Sequence, residues 1–289
     1  MSTPGQHELR AWKIADTAAS AWQAAGGKDG AAVPLGVLAG LALVAAAAEP
    51  EAAEQVAALA TDRLAWFLRR VWGLFAITRP ELAIRTGPFA RWVDDEDAEM
   101  TQRPAAWEMT RSVLATGELF TGHDRALFLD TDLLGCAYQL LAHPRSAKAR
   151  GETYTPPDVA ALLMQIRLAG AEPGQTILDD GAGTGSLLRA AAQHLREHDI
   201  EPRTMRWYAT DIDPIAVAAL AVNIHLWELG PHAVITRADI LTEPDWARRA
   251  AAEQEQALRD HDLRLRVARL LAAEHVISPG NPDQRNQQA

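Results

Sequence analysis

The stretch T-I-L-D-D-G-A-G-T-G-S-L-L, Thr176–Leu188, joins a short apolar run to three closely spaced glycines and then to a second apolar run. This order predicts a β-strand, a glycine loop and a helix. Gly181, Gly183 and Gly185 lack side chains, so the backbone can turn tightly and approach a ligand closely. Asp179 ends the strand and places a carboxylate beside the loop. Alone, the loop is compatible with a nucleoside or dinucleotide site and with a plain strand-to-helix turn.

Two further strands are predicted at Arg206–Thr210 and Ala233–Arg237, each preceded by a helix. Strands that alternate with helices predict a parallel sheet with right-handed crossovers. Asp211 ends the second strand, where a carboxylate can bind the two hydroxyls of a ribose or, as the alternative, cap the next helix. Asp239 and Ile240 follow the third strand, at the position expected to face an adenine ring. Three acidic strand ends in this order favour a nucleoside pocket.

The first half of the chain has a different pattern. Over Glu8–His143, apolar residues recur at three- and four-residue spacing, and this spacing predicts helices. Thr242 and Pro244 predict the start of another helix after the third strand. The expected fold is therefore α/β, with these parts in order: a helical domain over residues 1–145, a ligand-binding domain with the sheet over residues 151–241, a carboxyl-terminal helix over residues 242–275 and a flexible tail over residues 276–289.

Composition and charge limit the classes of function. The 28 basic and 38 acidic residues give a formal charge of −10, which argues against nonspecific coating of nucleic acid but leaves room for a local contact with DNA. The single cysteine, Cys136, and a start without a basic and apolar leader indicate a reduced, cytoplasmic setting. No metal site is expected, because four histidines that stand close together in the sequence lack metal-ligand spacing: they are His194, His198, His225 and His232.

One stretch has the length of a short membrane span. Ala31–Ala48 carries no charge over eighteen residues, which reaches the lower limit for crossing a bilayer. It is rich in alanine, however, contains Pro34, Gly36 and Gly40, and lacks aromatic residues at its ends. We therefore expect a buried core helix and no membrane partner, with a membrane span as the less favoured alternative.

Upstream of the glycine loop stands G-E-T-Y-T-P-P-D, Gly151–Asp158. Together with the glycine loop and the acidic strand ends, its Tyr154, Thr155 and Pro156 resemble motifs of S-adenosylmethionine-dependent methyltransferases, and within them of the N-6 adenine DNA methylases of type I restriction-modification systems. The resemblance is firm over about residues 151–241 and loose before them. Asp180 departs from it, because the DNA methylases usually carry proline there.

The resemblance implies a truncated Rossmann-like methyltransferase sheet, S-adenosyl-L-methionine as the cofactor and adenine in DNA as the methyl acceptor. It further implies that the Tyr-Thr-Pro motif closes over the methionine part of the cofactor. The cofactor-binding residues that it implies are Tyr154, Thr155, Pro156, Asp179, Gly181, Gly183, Gly185, Asp211, Asp239 and Ile240.

The acceptor motif of the DNA methylases is not found, and the catalytic residues stay unknown. In that family an Asn or Asp, two prolines and an aromatic residue hold the target amine and stack on the flipped base. The nearest match is V-I-S-P-G-N-P-D, in which Asp283 follows Asn281 and Pro282 in place of an aromatic ring. No Phe, Trp or Tyr occurs from Ala247 onward. The expected fourth strand is missing from the pattern as well.

Three functions remain open from the sequence. The first is methyl transfer to adenine in DNA, alone or within a larger complex, and the second is a cofactor-binding or regulatory module without transfer activity. The third is a small-molecule methyltransferase, which the general form of the glycine loop and the negative charge allow. A truncated sheet leaves the strand of the glycine loop as an edge, and exposed edges invite pairing with another chain. Either the carboxyl-terminal helix or a partner chain is therefore expected to cover this edge.

Overall fold

The computed structural model describes residues 4–28, 30–47, 51–120, 125–142 and 155–277. Within these ranges the amino-terminal half is helical and contains no strand, as the apolar spacing predicted. Three short 3₁₀ turns, at Thr61–Arg63, Arg91–Val93 and Pro202–Thr204, join longer elements. The helices of the first half are α1 Pro4–Ala24, α2 Ala32–Ala46, α3 Ala52–Ala57, α4 Leu64–Thr78, α5 Pro80–Ala83, α6 Gly87–Ala90, α7 Glu96–Ala115, α8 Ala126–Asp130 and α9 Leu133–Leu141.

The second half alternates helices and strands. Within the described ranges its three strands are all parallel and lie in the order β1-β2-β3, which confirms the predicted α/β class with a small sheet and a carboxyl-terminal helix. The predicted strand bounds agree with the observed ones to within one residue. The elements are α10 Pro157–Arg167, β1 Thr176–Asp179, α11 Ser186–Glu197, β2 Arg206–Asp211, α12 Pro214–Leu226, β3 Ala233–Arg237 and α13 Trp246–Ile277.

The charge-free stretch forms α2, which is buried in the protein core. Its two glycines let neighbouring helices approach closely, because a Cβ atom on Gly36 would stand 2.7 Å from Phe89 O and one on Gly40 would stand 2.7 Å from Leu68 Cδ2. Among the described residues, no helix is both long and apolar enough to cross a membrane. The expectation of a core helix is thereby confirmed.

The helical half and one face of the sheet share a single hydrophobic core. Trp207 and Ala209 of β2 are fully buried, and they belong to the same cluster of buried side chains as Leu35 and Leu38 of α2. Helix α12 lies between them, since it contacts α2 on one side and both β2 and β3 on the other. The sheet is therefore supported by the helical half rather than by its own crossover helices alone.

The opposite face of the sheet is only partly covered. Leu178, Tyr208 and Val234 lie side by side in register on this face. Helix α13 packs against β3 and buries Val234 together with Trp246, whereas Leu178 on β1 stays 53% exposed. Among the described residues β1 pairs with β2 alone. In the described part of the chain the edge of β1 is thus open, as predicted. The carboxyl-terminal helix packs on β3 and does not cover the edge of β1.

Candidate cofactor site

The glycine loop follows β1 and turns the chain into α11. Gly183 and Gly185 have φ angles of +55° and +102°, a conformation that glycine adopts at little cost. Gly185 also lies against the core, because a Cβ atom on it would stand 2.6 Å from Leu220 Cδ1 and 2.8 Å from Trp227 Cζ3. On Gly181 or Gly183, a Cβ atom would meet no atom of more distant described residues within 4 Å. The loop therefore packs at Gly185 and faces open space at the other two glycines.

Two hydrogen bonds fix the loop to the carboxyl end of β2. The N–H of Ala182 donates to the carbonyl oxygen of Thr210 at 2.9 Å, and the N–H of Gly183 donates to Asp211 Oδ2 at 2.8 Å. The N–H of Asp213 donates to the other carboxylate oxygen, Asp211 Oδ1, at 2.9 Å. Each oxygen of a carboxylate has two lone pairs. Asp211 can therefore hold the loop and still accept hydrogen bonds from a ligand.

The cap of the following helix is Asp213, not Asp211. Asp213 Oδ1 accepts a hydrogen bond from the N–H of Ile215 at 2.8 Å, and Pro214 occupies the first turn of α12, as expected at a helix start. Asp213 is buried, and Tyr138 donates its hydroxyl hydrogen to Asp213 Oδ2. The cap role that the sequence allowed for Asp211 is thus filled by its neighbour two residues on.

Asp179 ends β1 with a carboxylate that is partly withdrawn from solvent. Burial raises the pKa of Asp179 above its usual value; the hydrogen bond from Gly181 N, at 3.4 Å, lowers it, and the charges of Asp180 and Asp211 raise it further. Asp179 Oδ2 is buried and accepts no hydrogen bond from the described part of the chain. Leaving a buried acceptor without a donor costs about 1–3 kcal/mol. This atom is suited to a donor that a ligand brings.

Asp239 stands two residues after the end of β3. Its Oδ1 accepts from the N–H of Leu241 at 3.0 Å, and its carbonyl oxygen accepts from the N–H groups of Thr242 and Glu243 at 3.1 and 2.8 Å. Asp239 therefore shapes the turn that leads toward α13. Ile240 next to it is 40% exposed, so its side chain is open to contact from a ligand.

The parallel strands bring the three acidic residues to one edge of the sheet. Asp179 is in register with Ala209, so Asp211 lies two residues farther along β2. Asp211 is in register with Arg237, and Asp239 lies two residues beyond that pair. The carboxylates of Asp179 and Asp211 are near enough for the charge of Asp211 to raise the pKa of Asp179. The three aspartates thus form a stepped row along this edge.

Two residues of the site were missed by the sequence analysis. Ile212 directly follows Asp211 and is 49% exposed, so a second apolar side chain stands beside the row; its only signal was an apolar residue between two aspartates. Asp132 precedes α9 and is partly buried among the elements that carry the loop. An aspartate directly before an apolar helical run does predict a helix cap. Its other partners are 52 and 91 residues away along the chain, beyond the range of any local pattern.

Asp132 connects the helical half to the glycine loop. Its Oδ1 accepts from the N–H of Gly135 and from Asn223 Nδ2, both at 2.8 Å, and its Oδ2 accepts from Thr184 Oγ1 at 2.7 Å. Burial raises the pKa of Asp132, while the hydrogen bonds from Thr184, Gly135 and Asn223 and the charge of Arg189 lower it. The carboxylate is therefore held by a set of donors that compensates part of its desolvation.

Asp180, which departs from the family pattern, has a structural role. Trp246 Nε1 donates to Asp180 Oδ1 at 2.9 Å, and this bond ties the first residue of α13 to the glycine loop. Proline at position 180 could not accept such a bond. Trp246 is 4% exposed, so its ring is not available to stack on a base.

The remaining predicted residues lie at or beyond the limits of the described chain. Thr155 is partly buried and Pro156 is exposed just before α10. Tyr154 and the tail with Asn281, Pro282 and Asp283 lie outside the described residues. In the parts that the structure describes, no group of three or more His, Cys, Asp or Glu residues is arranged to hold a metal ion.

Known proteins that are similar in sequence or structure to this chain include methyltransferases. Residues 129–257 match the family model described as N-6 DNA methylase. A ribosomal protein L11 methyltransferase of Bradyrhizobium diazoefficiens is 38% identical over 87 residues, which are 30% of this chain and 26% of that protein. The solved type I restriction-modification system methyltransferase subunit from Streptococcus thermophilus aligns with a TM-score of 0.47 at 19% identity, over 85% of this chain and 60% of that one.

The chain thus spans about a quarter of the curated relative and 60% of the solved one. The matched segment 129–257 begins just before Asp132 and includes the glycine loop and all three strands. The match therefore confirms that this segment of the chain is similar to the N-6 DNA methylases.

Proposed function

We propose that the chain binds S-adenosyl-L-methionine at the carboxyl ends of its three strands. The observation that carries this proposal is the buried Asp179 Oδ2, which lacks a donor among the described residues and stands beside two glycines that face open space. The cofactor offers several donors, namely an ammonium group, two ribose hydroxyls and an adenine amine, and when bound it supplies an electrophilic methyl group.

The three aspartates along the sheet edge can each accept a hydrogen bond from one of these donor groups. Asp179 accepts from the ammonium group, Asp211 from the ribose hydroxyls, and Asp239 from the adenine amine. Ile212 and Ile240, both exposed, contact the two faces of the adenine ring. Gly181 and Gly183 let the backbone approach the cofactor, Gly185 holds the loop to the core, and the segment Tyr154–Pro156 closes over the methionine part.

We further propose adenine in DNA as the methyl acceptor. The match of residues 129–257 to the N-6 DNA methylases supports it. The described residues after β3 offer no ring for the acceptor side, because Trp246 is buried and no Phe, Trp or Tyr lies between it and Ala289. A partner chain that pairs with the open edge of β1 can supply that side. In this arrangement the chain is one subunit of a DNA methyltransferase.

A second candidate is a cofactor-binding module without transfer activity. The open edge of β1, with Leu178 half exposed, favours it, since the described residues hold no strand beside the cofactor where a target base could be oriented. Both candidates require the same cofactor site and differ only in methyl transfer.

Calorimetric titration of the purified chain with S-adenosyl-L-methionine tests the site. We expect binding by the wild type, a loss of about tenfold or more in Asp179→Ala, as for a removed charged hydrogen bond, and no change in Glu172→Gln, an exposed acid of the same half. Equal affinity in Asp179→Ala and wild type contradicts the assigned ammonium contact. Absence of binding by the wild type overturns the cofactor assignment.

Methyl transfer is then measured on adenine-containing DNA with labelled cofactor. Transfer to the adenine amine supports the enzyme, with or without an added partner. Binding without transfer under every condition supports the module instead.

A further inference from the structure

Helix α9 and its N-cap residue Asp132 reach both loops that form the proposed cofactor site. Asp132 binds Thr184 of the glycine loop, and Tyr138 binds Asp213 of the loop between β2 and α12. The Tyr138–Asp213 contact is buried, and the Asp132–Thr184 contact is partly buried. One short helix of the amino-terminal half therefore touches each of the two loops through a side chain.

The first contact is a closed set of hydrogen bonds. Asn223 Nδ2 donates both to Asp132 Oδ1 at 2.8 Å and to the carbonyl oxygen of Thr184 at 2.9 Å, while Thr184 Oγ1 donates to Asp132 Oδ2. Gly135 lets α9 come this close, because a Cβ atom there would stand 2.1 Å from Asp132 Oδ2 and 2.6 Å from Thr184 Oγ1. Thr184 lies between Gly183 and Gly185, so the set fixes the backbone at the centre of the glycine loop.

The second contact leads to Asp211 in two steps. Tyr138 holds Asp213 Oδ2, and the N–H of Asp213 donates to Asp211 Oδ1 at 2.9 Å. Asp211 Oδ2 in turn accepts from Gly183 N at 2.8 Å. The tyrosine hydroxyl therefore acts on the orientation of the carboxylate that is assigned to the ribose, through two hydrogen bonds joined by the covalent structure of Asp213.

Two more hydrogen bonds are accepted by the carbonyl oxygens of residues just before α9. Trp227 Nε1 donates to the carbonyl oxygen of Thr131 at 2.9 Å, and Arg189 Nη1 donates to that of Asp130 at 2.8 Å. They join this segment to α11 and α12, the helices that follow the two loops. Apolar packing of α9 alone would hold the helix against the sheet, whereas a partly buried carboxylate with matched donors also specifies one position of the loop.

We propose that Asp132 and Tyr138 are positioning residues, which hold the glycine loop and the Asp211 loop in the geometry that binds the cofactor. The inference rests on the proposed function for its consequence in binding. It adds that the amino-terminal half is part of the cofactor site's machinery, although neither residue is assigned a contact with the ligand.

Hydrogen exchange of the cofactor-free protein tests the positioning directly. The variants are Asp132→Ala, Asp132→Asn and Tyr138→Phe. Thr110→Val is the control, because it removes a buried hydroxyl that bonds within α7, to the carbonyl oxygen of Ala106. We expect amide exchange in residues 180–186 and 211–215 to be about tenfold faster in Tyr138→Phe than in the control, for the loss of one hydrogen bond, and at least as fast in Asp132→Ala, which loses three.

Asp132→Asn is the conservative variant. Its amide oxygen can accept from Gly135 and Asn223, and its amide nitrogen can donate to Thr184 Oγ1, so loop exchange should return to near the wild-type rate. Loop exchange that is equal in Tyr138→Phe, Asp132→Ala and the control overturns the positioning role, whatever the cofactor does.

Calorimetry then measures the consequence at a temperature where every variant is folded. We expect S-adenosylmethionine to bind about tenfold more weakly to Asp132→Ala and Tyr138→Phe, and with unchanged affinity to Thr110→Val. Wild-type protein that does not bind contradicts the proposed function and leaves the exchange result to decide the positioning. Faster loop exchange with unaltered affinity shows that the contacts do not serve binding and overturns the inference.

Discussion

The N–H of Gly183 donates to Asp211 Oδ2 at 2.8 Å, so a residue of the glycine loop and the carboxylate at the end of the neighbouring strand hold each other in place. Asp211 is thus both a candidate ligand-binding residue and a structural support. Replacing it would disturb the loop as well as the ribose contact, and a loss of binding would not separate the two effects. Variants of Asp179 and of the glycines test cofactor binding better, because these residues do not make the contact by which Asp211 holds the loop.

The glycines of the loop should respond differently to alanine. Gly185→Ala forces a Cβ atom to 2.6 Å from Leu220 at a φ of +102°, and we expect it to lower the free energy of unfolding by about 2–4 kcal/mol. Gly181→Ala meets open space and should leave stability within about 0.5 kcal/mol, while the added methyl group weakens cofactor binding.

Urea unfolding and calorimetric titration of both variants check this prediction. A stable Gly181→Ala protein with wild-type affinity would show that the open space beside this glycine is not used by the cofactor. A Gly185→Ala protein as stable as the wild type would contradict the close packing of the loop.

The sequence predicted the elements that depend on neighbouring residues. The strand bounds and the glycine loop followed from apolar runs bounded by glycine, proline and aspartate. The burial of α2 followed from its composition, since alanine and glycine favour close helix packing over membrane anchoring. These features need no knowledge of the rest of the chain.

Contacts between distant residues could not be predicted in the same way. Asp180 looked like a departure from a family motif, yet it is the acceptor for Trp246 Nε1. Asp132 was missed, since its position before an apolar run indicates at most a helix cap, yet it also binds Thr184 and Asn223. Such pairs form only when the helical half packs on the sheet, and no spacing rule relates their positions.

Asp179 should make stability depend on pH in a recognisable direction. Its pKa is raised in the folded state, chiefly by burial, so the folded chain binds more protons than the unfolded one between the unfolded and folded pKa values. Stability due to this group therefore falls as pH rises through that window, and the penalty is fully present above the folded pKa. Asp179→Asn removes the charge and should raise the stability of the cofactor-free protein at pH 7.

Urea unfolding of wild type and Asp179→Asn at pH 7 and at pH 4 measures this effect. We expect the variant's advantage to shrink at the lower pH, because protonation of the wild-type carboxyl increases as pH falls. An advantage that grows on acidification would mean that the Asp179 charge stabilises the fold, although its Oδ2 accepts no hydrogen bond from the described residues.

His225 should produce the opposite slope. Burial, helped by the charge of Arg79, lowers the pKa of His225 from 6.5 to about 4, so the unfolded chain binds a proton that the folded chain does not. Stability is complete above pH 6.5 and is lost as pH falls toward 4, by roughly 3 kcal/mol at the lower limit. His225→Gln keeps an acceptor for Arg79, which lies 3.3 Å from His225 Nδ1, and does not titrate.

Unfolding free energies of wild type, His225→Gln and His232→Gln between pH 7 and 4.5 test this assignment. His232 is exposed and serves as the control. We expect only His225→Gln to show a shallower loss of stability on acidification. Parallel curves for all three proteins would mean that His225 remains free to take up a proton in the folded state.

The open edge of β1 should govern self-association of the isolated chain. Its backbone groups on that side have no partner strand among the described residues, and Leu178 on the same strand is 53% exposed. A lysine on an edge strand opposes edge-to-edge pairing through charge and solvation. We expect Leu178→Lys to reduce concentration-dependent association, measured by light scattering, about severalfold while stability changes by only about 0.5 kcal/mol.

Leu241→Lys, at a more exposed leucine that lies outside the strands, should associate like the wild type. If both lysine variants reduce association equally, surface charge rather than the strand edge controls it, and the proposed pairing of a partner chain with β1 loses its support.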